Sequence, residues 1–67
     1  MFPMSAMYWI YYDAASDTRY YVESYMMSVT AFAEYVSGIV GHTVRASDTS
    51  YADRQKDLDK HRNLKHI

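Results

Sequence analysis

Cysteine does not occur in this chain of 67 residues. The protein therefore has no disulfide bond, no thiolate zinc site, no iron–sulfur cluster and no cysteine nucleophile. Glycine and proline are scarce, with two residues and one. Neither a glycine-rich phosphate loop nor a G-x-S-x-G nucleophile motif occurs. We expect a protein that is not an enzyme and that binds no cofactor and no metal.

Long apolar runs are also missing. Residues 1–12 carry no charge, but a membrane-spanning helix needs about 17–25 apolar residues. A secretory signal would begin with basic residues, and here the first charged residue is Asp13. We expect no membrane span, a cytoplasmic location, and a loose N-terminus, interrupted at Pro3, that leads into a buried strand.

Neither sign of charge dominates the chain. Seven basic and eight acidic residues give a formal net charge of −1. Phosphate neutralisation dominates the affinity of nucleic-acid binders, which are usually clearly basic. The balance argues against a nucleic-acid partner.

Aromatic residues are abundant instead, with eight Tyr, two Phe and one Trp. Residues 7–12 (MYWIYY) and 19–25 (RYYVESY) are rich in aromatic and β-branched residues, which indicates two strands. The small polar residues 13–18 between them predict a hairpin loop.

A helix and a third strand follow. Ser28 is a suitable N-cap for a helix over residues 29 to about 37, and Gly38 suits the left-handed position after it. The helical spacing i, i+3, i+4, i+7 predicts one buried stripe, formed by Val29, Phe32, Ala33 and Val36. Residues 42–47 (HTVRAS) predict the third strand.

The C-terminal residues differ in character. Residues 51–67 carry five basic and three acidic residues, whereas residues 1–50 carry two basic and five acidic. Apolar residues are too few in the last part for a continuous buried stripe. We expect one β-β-α-β domain over residues 1–50, followed by a charged tail, mobile or weakly helical, over residues 51–67.

The element order predicts an α+β fold. A three-stranded antiparallel sheet of order 2-1-3 gives a right-handed crossover and places the most apolar strand in the middle. One helix covers one face, so the other face is expected to be open. Alternation along the strands assigns these residues to the open face: Trp9, Tyr11, Tyr21, Glu23, Tyr25, Thr43 and Arg45.

An open aromatic face of this kind predicts an interface, because monomers seldom expose large apolar patches without a partner. The partner could be a foreign protein or a second copy of the chain. Aromatic sheet faces also stack the bases of single strands, which leaves a single-strand nucleic-acid binder as a third hypothesis.

The chain resembles the T7-type bacteriophage inhibitors of bacterial RNA polymerase. The resemblance is carried by Tyr8-Trp9, Asp13 to Asp17, Val22, Tyr25, Ser28-Val29, Gly41 and Val44. In that family an acid at the end of strand one and arginines in strand three contact the polymerase. The matching positions here are Asp13 and, one residue out of register, Arg45.

The chain also resembles the φ29-type inhibitors of uracil-DNA glycosylase. Tyr20-Tyr21 and residues 28–32 are similar in spacing to the strand-two tyrosines and the helix start of that family. The resemblance implies that Phe32 fills an apolar pocket of the enzyme, whereas the helical spacing places it in the core. Some anti-CRISPR proteins share the same element order.

Together these features predict a phage-encoded, protein-binding inhibitor of a host nucleic-acid enzyme in the bacterial cytoplasm, with RNA polymerase as the first target. Uracil-DNA glycosylase and a CRISPR effector are alternatives, as is a homodimeric structural module. The expected polar contacts are Asp13, Asp17 and Arg45. The expected sheet-face contacts are Trp9, Tyr11, Tyr21, Glu23 and Tyr25.

Overall fold

The computed structural model describes residues 7–67, apart from the side chain of Gln55. Strand β1 spans Met7–Asp13 and β2 spans Thr18–Glu23, joined by a four-residue turn. They form the predicted antiparallel hairpin, in which Trp9 lies opposite Val22 and Tyr11 opposite Tyr20. The loose N-terminus expected before β1 lies outside the described residues.

Helix α1 spans Val29–Val40. Ser28 caps it as predicted, because its Oγ accepts the backbone N–H of Ala31 at 3.1 Å. The predicted end near residue 37 is wrong. Gly38 lies inside the helix, and the left-handed residue is Gly41, with φ of 82° and an N–H that donates to the Ser37 carbonyl. The missing side chain at Gly38 weakens the helix without ending it.

The predicted strand over residues 42–47 is also wrong. Val44 is buried against α1 rather than paired in the sheet. The Ser37 hydroxyl accepts the N–H of Val44 at 2.8 Å and donates to the Ala33 carbonyl at 2.7 Å. A helix side chain thus satisfies the backbone group that a strand neighbour would otherwise pair with. A short 3₁₀ turn, Ala46–Asp48, follows.

The expectation of a mobile or weakly helical tail is wrong as well. Strand β3, Ser50–Asp53, pairs antiparallel with β1. A π-helical turn, Arg54–Leu58, leads to strand β4, Leu64–His66, which pairs parallel with β2.

Over residues 7–67 the fold is therefore α+β, with one α-helix and a four-stranded mixed sheet of order β3-β1-β2-β4. The predicted three-stranded antiparallel sheet is wrong. Strand β4 has one apolar residue in three, so neither its composition nor its length distinguishes it from a polar loop.

The predicted open face of the sheet is wrong too. On the helix side, Trp9 and Tyr11 pack against a core that includes Phe32. On the other side, Leu58 is only 1 % exposed and lies with Tyr8 and Ala52, and Tyr21 and Leu64 pack around them. The C-terminal segment fills the face that was expected to be free.

Trp9 was assigned to the wrong face of the sheet because of the composition of strand β1. The run MYWIYY is apolar at every position, so alternation assigns no unique buried side. Residues directly opposite each other in an antiparallel pair share a face. Because Trp9 lies opposite Val22, it faces α1 and not the side of Tyr21.

Candidate functional site

The residues predicted to bind a partner do not form one surface. Asp13 precedes the hairpin turn and Asp17 is its last residue, whereas Glu23 and Tyr25 lie at the opposite end of β2. Six strand residues at about 3.3 Å each separate the two ends by roughly 20 Å. We therefore consider the two ends separately.

Asp13 is engaged within the protein. It is only 7 % exposed, and its Oδ2 accepts the Ser16 hydroxyl at 2.6 Å. Its other oxygen lies 3.8 Å from Nε2 of His42. These contacts tie the hairpin to the loop that follows α1, so the carboxylate of Asp13 has little surface to offer a partner.

Asp17 also stabilises the structure, at the end of the hairpin turn. It adopts a left-handed φ of 50°, a conformation that aspartate tolerates better than most residues. Its carboxylate accepts the Tyr12 hydroxyl at 2.8 Å, and this hydrogen bond raises the pKa of Tyr12. Its backbone carbonyl accepts Nδ2 of Asn63 at 3.1 Å, which connects the hairpin to the segment before β4.

Arg45 is exposed in the loop after α1. Its backbone N–H donates to Oδ2 of Asp48 at 2.9 Å, and its carbonyl accepts the N–H of Asp48. The loop is thus held by its backbone, and the guanidinium lies outside the sheet to which the sequence assigned it.

Tyr11 and Trp9 are partly buried on the helix side of β1. Burial, followed by the negative charges of Asp13 and Asp48, raises the pKa of Tyr11. The Trp9 indole N–H donates to the Met27 carbonyl at 2.9 Å. Trp9 therefore stabilises the turn before α1, and its indole N–H is not available to a partner.

Tyr21 and Glu23 are bound to strand β4. The Tyr21 ring makes edge contacts with Tyr8 and His66, with ring centroids 5.4 and 5.1 Å apart. Nε2 of His66 lies 2.6 Å from Oε1 of Glu23. This hydrogen bond is the main reason why the pKa of Glu23 is lowered.

Tyr25 is the one predicted anchor that protrudes from the surface. Its side chain is 78 % exposed, and that of its neighbour Met26 is 61 % exposed. Both lie in the turn of residues 24–27, which joins β2 to α1. Sequence reasoning missed Met26, although the alternating pattern of strand two breaks off at the Tyr25-Met26-Met27 run.

A groove of about 350 Å³ lies between α1 and β4. Its helix wall is Tyr35 and Ile39, which are 56 % and 43 % exposed. Sequence reasoning missed these residues too. A signal existed, because they are apolar, four residues apart, and lie beside the stripe of Phe32 and Val36 on the helical wheel.

A second, more polar groove of about 360 Å³ lies beside β3. Its carboxylates are used internally, since Asp48 accepts the N–H of Arg45 and Asp57 accepts the N–H of Asp53. Over residues 7–67, no group of three His, Asp or Glu side chains is arranged to hold a metal ion. The same residues contain no helix that is long and apolar enough to cross a membrane.

No protein-family model matches the chain, and comparisons with curated proteins and with solved structures find no significant match. The resemblance to phage inhibitors of nucleic-acid enzymes stays a prediction.

Proposed function

We propose that this protein is a non-enzymatic inhibitor that acts by binding another protein, and that the turn of residues 24–27 is its main anchor. The observation that carries the proposal is the protrusion of Tyr25 and Met26 from this turn. Tyrosine is enriched among the residues that dominate interface energies. Methionine adapts its shape to apolar pockets.

The turn presents these side chains on a rigid support. The N–H of Met26 donates to the Glu23 carbonyl at 3.0 Å, and the Trp9 indole holds the Met27 carbonyl. Ser28 then caps α1. A preorganised anchor loses little conformational entropy on binding, so more of its contact energy appears as affinity.

The resemblance described above supports the choice of target class. We propose a host nucleic-acid enzyme, with bacterial RNA polymerase as the first target and uracil-DNA glycosylase or a CRISPR effector as alternatives. Steric blocking of the enzyme is sufficient for inhibition and requires no catalytic group.

The structure removes the basis of two other hypotheses. A homodimer through open aromatic sheet faces, and a base-stacking platform for single strands, both require an uncovered face. Leu58, from the π-helical turn, packs on that face with Tyr8 and Ala52.

The direct test is binding of the full chain to purified bacterial RNA polymerase, with capture from bacterial lysate to reveal another enzyme of the class. Tyr25→Ser should weaken binding at least about tenfold, as expected for a central aromatic anchor. Tyr51→Ser is the matched control, because Tyr51 is 57 % exposed but lies on β3. Equal capture by both variants, or failure to retain any nucleic-acid enzyme, would contradict the proposal.

A further inference from the structure

Strand β4 is an outer strand of the sheet, and among residues 7–67 no further strand pairs with it. Its inner side is satisfied by β2, since Arg19 donates to the Asn63 carbonyl and Ile67 donates to the Tyr21 carbonyl. A parallel ladder uses alternate residues. The backbone groups of Leu64 and His66 therefore point away from the sheet, in the direction from which another strand could pair.

The groove between α1 and β4 runs along this same edge. Ile39 and Tyr35 form one wall, Tyr20 lies on the sheet beneath, and Lys65 and Ile67 form the other wall. Its volume is near the lower end of the range for small-ligand pockets. It is wide enough for an apolar side chain that projects from a strand laid beside β4.

The segment that contains β4 is rich in basic residues. Residues 60–66 (KHRNLKH) contain two lysines, one arginine and two histidines but no acidic residue. Glu23 is the acidic partner of His66, which leaves Lys65 beside the groove as an exposed cation. The edge is therefore complementary to a negatively charged strand.

We propose that β4 and the groove bind an extended, acidic and apolar peptide segment of a partner protein, which adds to the sheet as a fifth strand. Backbone hydrogen bonds to Leu64 and His66 supply affinity, an apolar side chain fills the groove, and carboxylates face Lys65. This mode of recognition is known as β-strand addition. The inference rests on the proposed function in assuming a protein partner, but it uses a surface separate from the turn of residues 24–27.

The same cations would attract a nucleic acid, but the rest of the site favours a peptide. A polynucleotide backbone lacks the regular N–H and C=O groups that pair with a strand edge. Single-strand binders stack successive bases on exposed aromatic rings. In this groove Tyr20 is only 8 % exposed, and two isoleucines lie beside Tyr35.

The test is fluorescence anisotropy of the full chain with a labelled peptide of about eight residues. Valine and aspartate take turns at every second position, so that both lie on the face of the groove and Lys65, and threonine fills the positions between them. The same peptide with lysine in place of aspartate should bind at least about tenfold more weakly. Two further versions of the peptide carry N-methyl groups, one on the odd-numbered residues and one on the even-numbered residues. Their affinities should differ by about tenfold or more, because only one of the two sets of N–H groups faces β4.

Variants of the chain localise the site. Ile39→Ser and Lys65→Glu should each weaken the acidic peptide at least about fivefold. Tyr51→Ser and Lys56→Glu are the matched controls, because both residues are exposed and lie outside the groove. Both should leave peptide binding unchanged.

Equal binding of the two N-methylated peptides overturns strand addition. Equal or tighter binding of a single-stranded DNA of the same charge overturns the choice of a peptide. Tyr25→Ser should still bind the peptide. Loss of the peptide interaction with target capture intact therefore refutes this inference alone. Peptide binding without target capture contradicts the proposed function and leaves this inference standing.

Discussion

Residues 7–40 and residues 41–67 reach the same sheet by different means. The first region has apolar residues at regular spacing, a polar hairpin loop and a capped helix. The second is mostly polar and is held by a few buried side chains, chiefly Val44, Ala52 and Leu58. A mostly polar segment can thus adopt a defined structure in a small protein. It does so when a few of its side chains enter the core and side-chain hydrogen bonds stabilise its turns.

The largest expected effect comes from Leu58→Ala. Leu58 is 1 % exposed and is the main apolar contribution of the π-helical turn to the second core. Truncation of a buried leucine costs about 2–5 kcal/mol, a large part of the free energy of unfolding of a small domain. Urea denaturation should show a lower midpoint.

Hydrogen exchange sharpens the comparison in this variant. Protection should fall first at β4, while α1 keeps its protection. Phe32→Ala, in the core under α1, should lower the protection of both regions. If Leu58→Ala lowers protection evenly along the chain, the two regions form one cooperative unit and the contrast between them is wrong.

Ser37→Ala should cost about 1–2 kcal/mol. The Ser37 hydroxyl joins the regions, because it accepts the N–H of Val44 and donates to the Ala33 carbonyl. Removal leaves a half-buried backbone N–H without its partner. Thermal unfolding measures the loss, and Ser47→Ala, in an exposed position of the 3₁₀ turn, is the control. An unchanged melting temperature for Ser37→Ala would contradict the assigned link.

Gly38→Ala should stabilise the protein by about 0.5–1 kcal/mol. Gly38 lies within α1, and a Cβ built there meets no atom within 4 Å. Gly41→Ala is the matched contrast and should destabilise, since Gly41 has φ of 82°. Chemical denaturation of both variants measures the effect. A loss of stability in Gly38→Ala would show that the helix needs glycine there.

The smallest expected effect is a dependence of stability on pH through Glu23. Its hydrogen bond with His66 lowers its pKa in the folded protein below the ordinary value of 4.5. The stabilising contribution is therefore present above about pH 4.5 and is lost as the pH falls below it. We expect about a few tenths of a kcal/mol, because the pair is partly exposed.

Glu23→Gln should remove this component. Its stability relative to the wild type should be lower at neutral pH, and the difference should shrink in acid. Urea midpoints at several pH values measure it. A difference that is the same at every pH would contradict the assignment to the Glu23 charge.

Much of the first region was predictable from local pattern. The hairpin of β1 and β2 and the Ser28-capped start of α1 depend on residues that are close in sequence. The second region was not predictable in this way. Val44 was assigned to a strand because residues 42–47 have β propensity, but the Ser37 hydroxyl holds it against the helix.

The candidate site was also predictable only in part. Tyr25 was assigned to an interface and is exposed, although its predicted neighbours Trp9 and Tyr21 are packed against opposite sides of the sheet. The groove beside β4 could not be predicted, because it exists only once residues 64–67 lie next to Tyr35 and Ile39.

Three features of this protein follow from the sequence alone. They are an aromatic hairpin, an amphipathic helix with a serine cap, and the absence of thiol chemistry. Only the tertiary structure decided which side of β1 meets the helix, that the C-terminal residues close the second face, and which edge is left for pairing. The physical reason is the separation along the sequence of the residues that interact. Hairpin turns, helix caps and the helical stripe involve neighbours in sequence, whereas the position of β4 depends on contacts such as His66 with Glu23 and Leu58 with Tyr8, between residues far apart in the chain.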